Sequence, residues 1–351
     1  MRAAVWRDPN QIELTQVDMP TPPQGWAVVK IAYNGICGTD LAIYHGQHPR
    51  AETGLIPGHE MVGWVADPGS TGLDQGSVVA VMPLISCGTC RACRSNNAHV
   101  CNKLNLYGID APGGMAEYVA LPGDVLYPLP AGVDVRTAAL TEPLAVAVHA
   151  ISLSNLLPGD LVAVWGAGPI GMLTAMMARY SGAREIIICE PNAYRSAVAA
   201  KAGFTATQDA NEFASLVAER SDGDGADITF DCAAHPAVAP QLAEHTRVRG
   251  QIVVVGVYKQ PAEIVLRDVG FKEQTIVGVR VYTKGDMRFA VDLVSRENLD
   301  FSNVPTLAYP VEQVAEAFEA ATSGNSCLKV LVTPNAELAD VLNNTNDGAA
   351  Q

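Results

Sequence analysis

The sequence predicts an α/β protein of two domains, a mostly-β domain first and a doubly wound parallel sheet after it. Three observations lead there. Residues 1–145 are rich in Pro and Gly and carry short β-branched runs, WAVVKIAY (26–33) and SVVAVMPLI (77–85), the texture of short strands joined by turns. From residue 146 apolar strand-like and helix-like segments alternate, as LVAVWGAG, GMLTAMMARYSG, REIIICE, NAYRSAVAAKAG, ADITFDCAA and QIVVVGV, which argues for a parallel sheet covered on both faces. Between the first of these strands and its helix lies a G-x-G-x-x-G turn, the context that a dinucleotide-binding fingerprint requires.

Composition narrows the function. The 351 residues are 48% hydrophobic, with 23 Lys plus Arg against 37 Asp plus Glu and a net charge of −14. That is enough apolar material for two cores, and the charge repels nucleic acid and anionic membranes, so a small neutral substrate is expected. The N-terminal MRAAVWRDPNQIELTQ carries charges where a signal peptide needs an apolar run, so the expected location is the cytoplasm. Leu161 to Ala178 is uncharged and near membrane-spanning length, but Gly166, Gly168, Pro169 and Gly171 interrupt it. A buried strand turning into a buried helix is the better reading.

Within the first domain, Cys87, Cys90, Cys93 and Cys101 fall in CGTCRACRSNNAHVC. Four thiolates so close converge on one tetrahedral Zn²⁺, and a closed four-sulfur shell leaves no position for substrate, so this zinc is structural. Two disulfides are the alternative, disfavoured by the strain of vicinal C-x-x-C bridges and by a reducing compartment.

In the second domain Gly166, Gly168 and Gly171, with Pro169 and Ile170 among them, set a dinucleotide pyrophosphate on a helix N-terminus. Glu190 closes the second strand, REIIICE, where a carboxylate accepts from the adenosine ribose and repels the additional phosphate of NADP, which favours NAD. Arg195 nearby is read as stacking on adenine rather than accepting that additional phosphate, with a solvated helix-face position as the plainer alternative.

After TIVGVRVY (275–282) a helical MRFAVDLVSREN leads to Pro305, and EQVAEAFEAATSG precedes a closing strand, CLKVLVTP. A sixth parallel strand completes the sheet near 281, so the remainder is expected to return to the first domain. The expected division is 1–145 with 288–351 against 146–287. From Asn335 the chain is polar and expected to fray, and Asn343 with Thr345 forms a glycosylation sequon by spelling only.

Two clusters remain, Cys37 in NGICGTD and His59–Glu60 in PGHEMVGW. Taken in order, GICGTD, GHE, the four-cysteine loop, GGMAEY (113–118) and GAGPIG resemble the zinc-dependent medium-chain dehydrogenase/reductases over nearly the whole chain, to about residue 334. The resemblance implies a GroES-like first domain interrupted by a Rossmann domain, NAD, and two zincs per chain, one catalytic and one structural. It assigns Cys37 and His59 as catalytic zinc ligands. Where liver-type alcohol dehydrogenases place a second cysteine this chain has TEPLAVAVHA (141–150), so a carboxylate completes the set, with Glu60 and Glu142 as candidates. That arrangement is similar to the sorbitol (polyol), threonine and 2,3-butanediol dehydrogenase branch, in which the glutamate matching Glu60 is a ligand and that matching Glu142 lies beside the metal.

By the same resemblance, Val255, Gly256, Val257, Val279 and Arg280 line the nicotinamide half, and Thr39 starts a proton relay. The relay histidine common in relatives is replaced by Ala42 in GTDLAIYHG. Release through water or the cofactor ribose is therefore expected, with His45 a lesser contributor and His48 a further possible substitute. The implied activity is reversible hydride transfer between a secondary alcohol, a polyol or vicinal diol, and NAD. L-threonine 3-dehydrogenase is the same-fold alternative, ranked lower for want of that histidine. A non-catalytic binding protein that kept the fold is disfavoured by the intact Cys37, Thr39, His59 and Glu60. The family implies a homo-oligomer, a homotetramer or a dimer.

Overall fold

The structure is a computed structural model and describes residues 1–340; the Asn343 sequon lies outside them. The chain divides into two units, Met1–Glu142 with Thr283–Asn298 and the residues from Pro305 on, and Pro143–Tyr282 with Leu299–Val304. Each division falls a few residues before the one expected from sequence. Leu299–Val304 goes with the second unit.

In the first unit a seven-stranded sheet runs Thr306–Pro310, Lys329–Thr333, Trp26–Gly35, Glu60–Asp67, Val78–Val81, Leu126–Pro128, and Tyr118–Pro122 also pairs with Trp26–Gly35. Trp26–Gly35 is central to it. Along this strand only Lys30 is exposed, as expected of a strand covered on both faces. The run at 77–85 is not one strand but two, Val78–Val81 and Leu84–Ile85. Pro83 between them has no N–H to continue a ladder, and its carbonyl instead accepts from Tyr107 N at 2.9 Å. Thr306–Pro310 and Lys329–Thr333 are parallel, joined through helix Val314–Ser323, which ends at Gly324 in the left-handed region at φ 60°; Phe318 on that helix stacks on Tyr44 at 4.7 Å.

The second unit holds six parallel strands in the order Thr205–Thr207, Glu185–Cys189, Leu161–Trp165, Ala226–Asp231, Thr246–Val254, Thr275–Gly278. By position in the chain this order is 3-2-1-4-5-6, the arrangement that binds dinucleotides where the strand order reverses. Leu161, Trp165, Ile187, Phe213, Val217 and Ile252 form one buried cluster. The uncharged segment at 161–178 is strand Leu161–Trp165 followed by helix Pro169–Tyr180. No helix among the described residues is long and apolar enough to cross a membrane. Val255, Gly256, Val257, Val279 and Arg280 lie beyond the strand ends rather than in them.

Residues 335–340 correct the expectation of fraying. Ala336–Leu338 forms a 3₁₀ turn, Tyr33 Oη donates to Leu338 O at 2.9 Å, and Arg136 grips both Asp340 oxygens at 2.8 and 2.7 Å. Polar composition concealed this because the partners are remote in sequence.

Candidate active site and metal centres

Strand register builds the first site. Gly35, at the end of the central strand, pairs with Glu60 on one side and with Leu331 on the other. Cys37 follows as N-cap of helix Gly38–Tyr44, so the turn after the strand carries the thiol beside Glu60. A Cβ at Gly35 would stand 2.0 Å from Glu60 Oε2, so only glycine leaves room for that carboxylate. Gly58 holds φ 100°, and a Cβ at Gly113 would meet Gly58 O at 2.2 Å. The GHE and GGMAEY motifs are thus two sides of one packed turn.

Cys37, His59 and Glu60 each aim a ligand atom into one place, all within 4.8 Å of one another. This donor set of thiolate, imidazole and carboxylate suits Zn²⁺. Two buried groups that sequence reasoning missed orient it. Asp40, fully buried, accepts from Cys37 N at 2.9 Å and faces His59 Nδ1 at 3.4 Å, the carboxylate–histidine arrangement typical behind a metal ligand. Lys329 Nζ lies 2.6 Å from Glu60 and donates to Ile36 O at 3.2 Å. The signal for Lys329 was present in CLKVLVTP, since a lone lysine within an apolar closing strand requires a buried partner.

The charges are coupled. Burial disfavours a charged His59, but Asp40 and then Cys37 outweigh it and hold the imidazole well above its ordinary value. A cation bound there displaces that proton. For Lys329 burial likewise opposes the charge, and Glu60 and Cys37 overcome it, keeping it an ammonium.

Glu142 is buried in the first turn of helix Thr141–Leu153. It lies outside the three-ligand cluster, although its charge acts on Lys329. Thr39 is half-buried on the helix that Cys37 caps. His45 is the C-cap of that helix, about 12 Å of helix rise from Cys37, and its Nδ1 is 2.7 Å from Asn10 Oδ1. The structure therefore does not bring His45 to the ligand cluster. His48 folds back, its N–H bonding Ala42 O at 3.1 Å.

In the four-cysteine loop Cys87, Cys90, Cys93 and Cys101 are all free, with no S–S bond among them. Its sulfurs approach at 3.5 Å for Cys90–Cys93 and 3.9 Å for Cys87–Cys93 and Cys90–Cys101. A tetrahedron of Zn–S bonds near 2.3 Å has edges of roughly 3.8 Å, so the residues fit that ion. Backbone N–H groups of Cys87, Cys90 and Lys103 point at the sulfurs, favouring thiolates.

In the second unit Gly166 adopts φ 94°, and a Cβ at Gly171 would meet Gly166 O at 1.9 Å. Gly168 is open, and Pro169 is the first residue of the helix with Ile170 next to it. These are the tight turn, the close helix–strand contact and the exposed amide edge that a pyrophosphate needs. Glu190 is buried, its oxygens accepting from Ala167 N at 2.8 Å and Asn192 N at 2.9 Å. It braces the glycine turn, and each oxygen keeps a lone pair for a ribose hydroxyl. Arg195 is not a free helix-face cation. Its Nη1 lies 3.9 Å from where a Gly168 Cβ would be, and its Nε is buried without a partner. Val255 is buried and half-buried Val279 donates its N–H to Val254 O, whereas Val257 is 76% exposed and Arg280 exposed. A plain core role is thereby excluded for Val257.

Comparison with known proteins agrees with this geometry. Residues 23–131 match the alcohol dehydrogenase GroES-like domain, and residues 169–296 match the zinc-binding dehydrogenase family. The chain is 34% identical over 323 residues to a 2-dehydro-3-deoxy-L-galactonate 5-dehydrogenase of Pseudoalteromonas atlantica, covering 90% of this chain and 94% of that one. It is 34% identical over 322 residues to a sorbitol dehydrogenase of Halalkalibacterium halodurans, covering 90% and 93%. A solved structure from Sinorhizobium meliloti, described as a zinc-binding dehydrogenase bound to NADP, superposes with a TM-score of 0.86 at 29% identity, covering 95% of this chain and 99% of that one.

Proposed function

The chain belongs to the zinc-dependent medium-chain dehydrogenase/reductases, in their polyol and threonine dehydrogenase branch, and from that premise we propose an NAD-dependent dehydrogenase of a polyol or vicinal diol. It is an oxidoreductase of secondary alcohols. The observation that carries the reading is the convergence of Cys37, His59 and Glu60 within 4.8 Å. The substrates in the names of the galactonate-type and sorbitol dehydrogenases reported above share a secondary alcohol on a polyhydroxylated carbon chain, which supports this class.

Oxidation removes a hydride to the nicotinamide and a proton to solvent. A zinc held by Cys37, His59 and Glu60 supplies a Lewis acid that lowers the alcohol's pKa. Asp40 fixes the His59 ring, so that donor is preorganised, while Lys329 compensates the buried Glu60 charge. Glu142 stands beside the set, as a group that exchanges with ligand or substrate. Thr39 takes the first proton step. With Ala42 in place of a relay base, water or the cofactor ribose carries the proton onward, and His45, bonded to Asn10, contributes little.

Glu190 supports NAD over NADP, since a second phosphate at the ribose would face its carboxylate. A zinc in the four-cysteine loop makes two per chain. The reading also includes a cytoplasmic homo-oligomer. The test is a screen of NAD and NADP reduction over sorbitol, xylitol, galactitol, inositols, 2,3-butanediol, threonine and simple secondary alcohols. A polyol or diol oxidised with NAD supports the proposal; turnover confined to threonine, or to NADP, contradicts it.

A further inference from the structure

We propose that the hydrogen bond from Tyr258 to Asp231 is a latch that positions the nicotinamide half of the dinucleotide site; the inference rests on the NAD reading above. Asp231 ends the fourth strand and is fully buried. Its Oδ2 accepts from Tyr258 Oη at 2.7 Å, its Oδ1 from Ala233 N at 3.2 Å and Ala234 N at 2.9 Å, and its carbonyl from Val255 N and Gly256 N, both at 2.9 Å. One residue thus ties two segments, 232–234 and 255–258, to the C-terminal end of its strand.

Those segments occupy the place that matters. In a sheet ordered 3-2-1-4-5-6 a dinucleotide crosses between strands 1 and 4, one nucleotide over each half. Glu190 and Arg195 belong to the half of strands 1 to 3, so the other nucleotide falls at the ends of strands 4 and 5, where Asp231 and Val255 stand. The strand before the glycine turn is bonded to these segments, Cys232 N donating to Trp165 O at 2.9 Å, and the turn leaves no spare room against them. A Cβ at Gly166 would lie 3.4 Å from Ala233 Cβ, and one at Gly171 would lie 3.5 Å from Cys232 Cβ. Between the two tied segments packing is closer still, for a Cβ at Gly256 would meet Ala234 Cβ at 2.7 Å.

The arrangement is held against local preference. Ala234 sits at φ 48°, a conformation a non-glycine residue keeps only when its surroundings impose it. Two bonds to one Asp231 oxygen impose it here. Val257, 76% exposed between the anchored Gly256 and Tyr258, is thereby presented to solvent at a fixed place. Without the phenol, Oδ2 of a fully buried carboxylate has no partner and the loop end is untethered.

The experiment measures binding by the full-length zinc-loaded protein, using NADH fluorescence and calorimetry with ADP. Tyr258→Phe keeps the ring and removes only the donor. The expected result is an NADH Kd raised about tenfold with the ADP Kd unchanged within about twofold, because ADP lacks the nicotinamide nucleotide. An unchanged NADH Kd, or an equal loss for ADP, overturns the latch. Should Tyr258→Phe fold poorly, hydrogen exchange of the wild-type protein decides: NADH but not ADP slows exchange at residues 255–258 if the latch is right, and no difference there refutes it. Failure of the wild-type protein to bind NADH at all would instead reject the NAD reading.

Discussion

Lys329 Nζ stands 2.6 Å from the Glu60 carboxylate, with both side chains at most 3% exposed. The two belong to strands on opposite sides of Gly35. Removing one partner of such a pair strands the other charge, at a cost of about 3–5 kcal/mol. A divalent cation on Cys37, His59 and Glu60 supplies replacement charge, so the loss is greater without metal than with it. Lys329→Met is therefore expected to lower Tm steeply in stripped protein and much less after zinc is restored. By the thermodynamic cycle the variant then binds zinc more tightly than wild type. Equal Tm losses in both forms contradict this.

The Cys87–Cys101 loop is expected to depend on its ion. Cys93→Ser removes a sulfur 3.5 Å from Cys90 and 3.9 Å from Cys87. Zinc content should fall by about one per chain, with faster proteolysis within residues 87–101, because a small loop of this kind draws its folding energy from the metal. Unchanged zinc content and unchanged proteolysis speak against a metal there.

Asp340 gives a pH signature. Burial raises its carboxyl pKa, but the Arg136 hydrogen bonds and Ala308 N–H outweigh burial and leave it below the ordinary value. A carboxyl depressed in the folded state stabilises above its unfolded value, near about 3.9, and the contribution disappears as pH falls through the folded value. Both partners are partly exposed, so about 1 kcal/mol is the expected size. Asp340→Asn should lower stability at pH 7, and the gap from wild type should close as pH falls below the ordinary carboxylate value near about 3.9, in thermal or denaturant unfolding.

His45→Ala tests the proton route. The His45 ring is tied to Asn10, so the acid limb of kcat against pH should move by less than about one unit. A larger movement would place His45 in the relay despite its distance along the helix.

The sequence made the candidate metal and dinucleotide residues legible because each motif is local, as in GICGTD, GHE, the cysteine loop and GAGPIG. Five of the six parallel strands were legible as local apolar runs, whereas Thr205–Thr207, three residues without such a run, was not named from sequence. What supports the Cys37, His59 and Glu60 cluster was hidden by distance along the chain. Lys329 reaches Glu60 only because residues 329–333 return to pair beside Gly35, and Asp231 meets Tyr258 only once strands 4 and 5 lie side by side. For His45 the sequence offered only nearness to Cys37, and closeness in sequence does not mean closeness in space along a helix. The clamp of Arg136 on Asp340 was missed because composition describes a polar segment without its partner.

The most direct measurement is NAD reduction with the preferred alcohol before and after the site of Cys37, His59 and Glu60 is stripped by chelation, with metal content followed in parallel. The account predicts that turnover falls with the loss of that metal, returns on adding zinc to the wild-type protein, and does not return in Cys37→Ser. Turnover that continues undiminished in metal-free protein would contradict it.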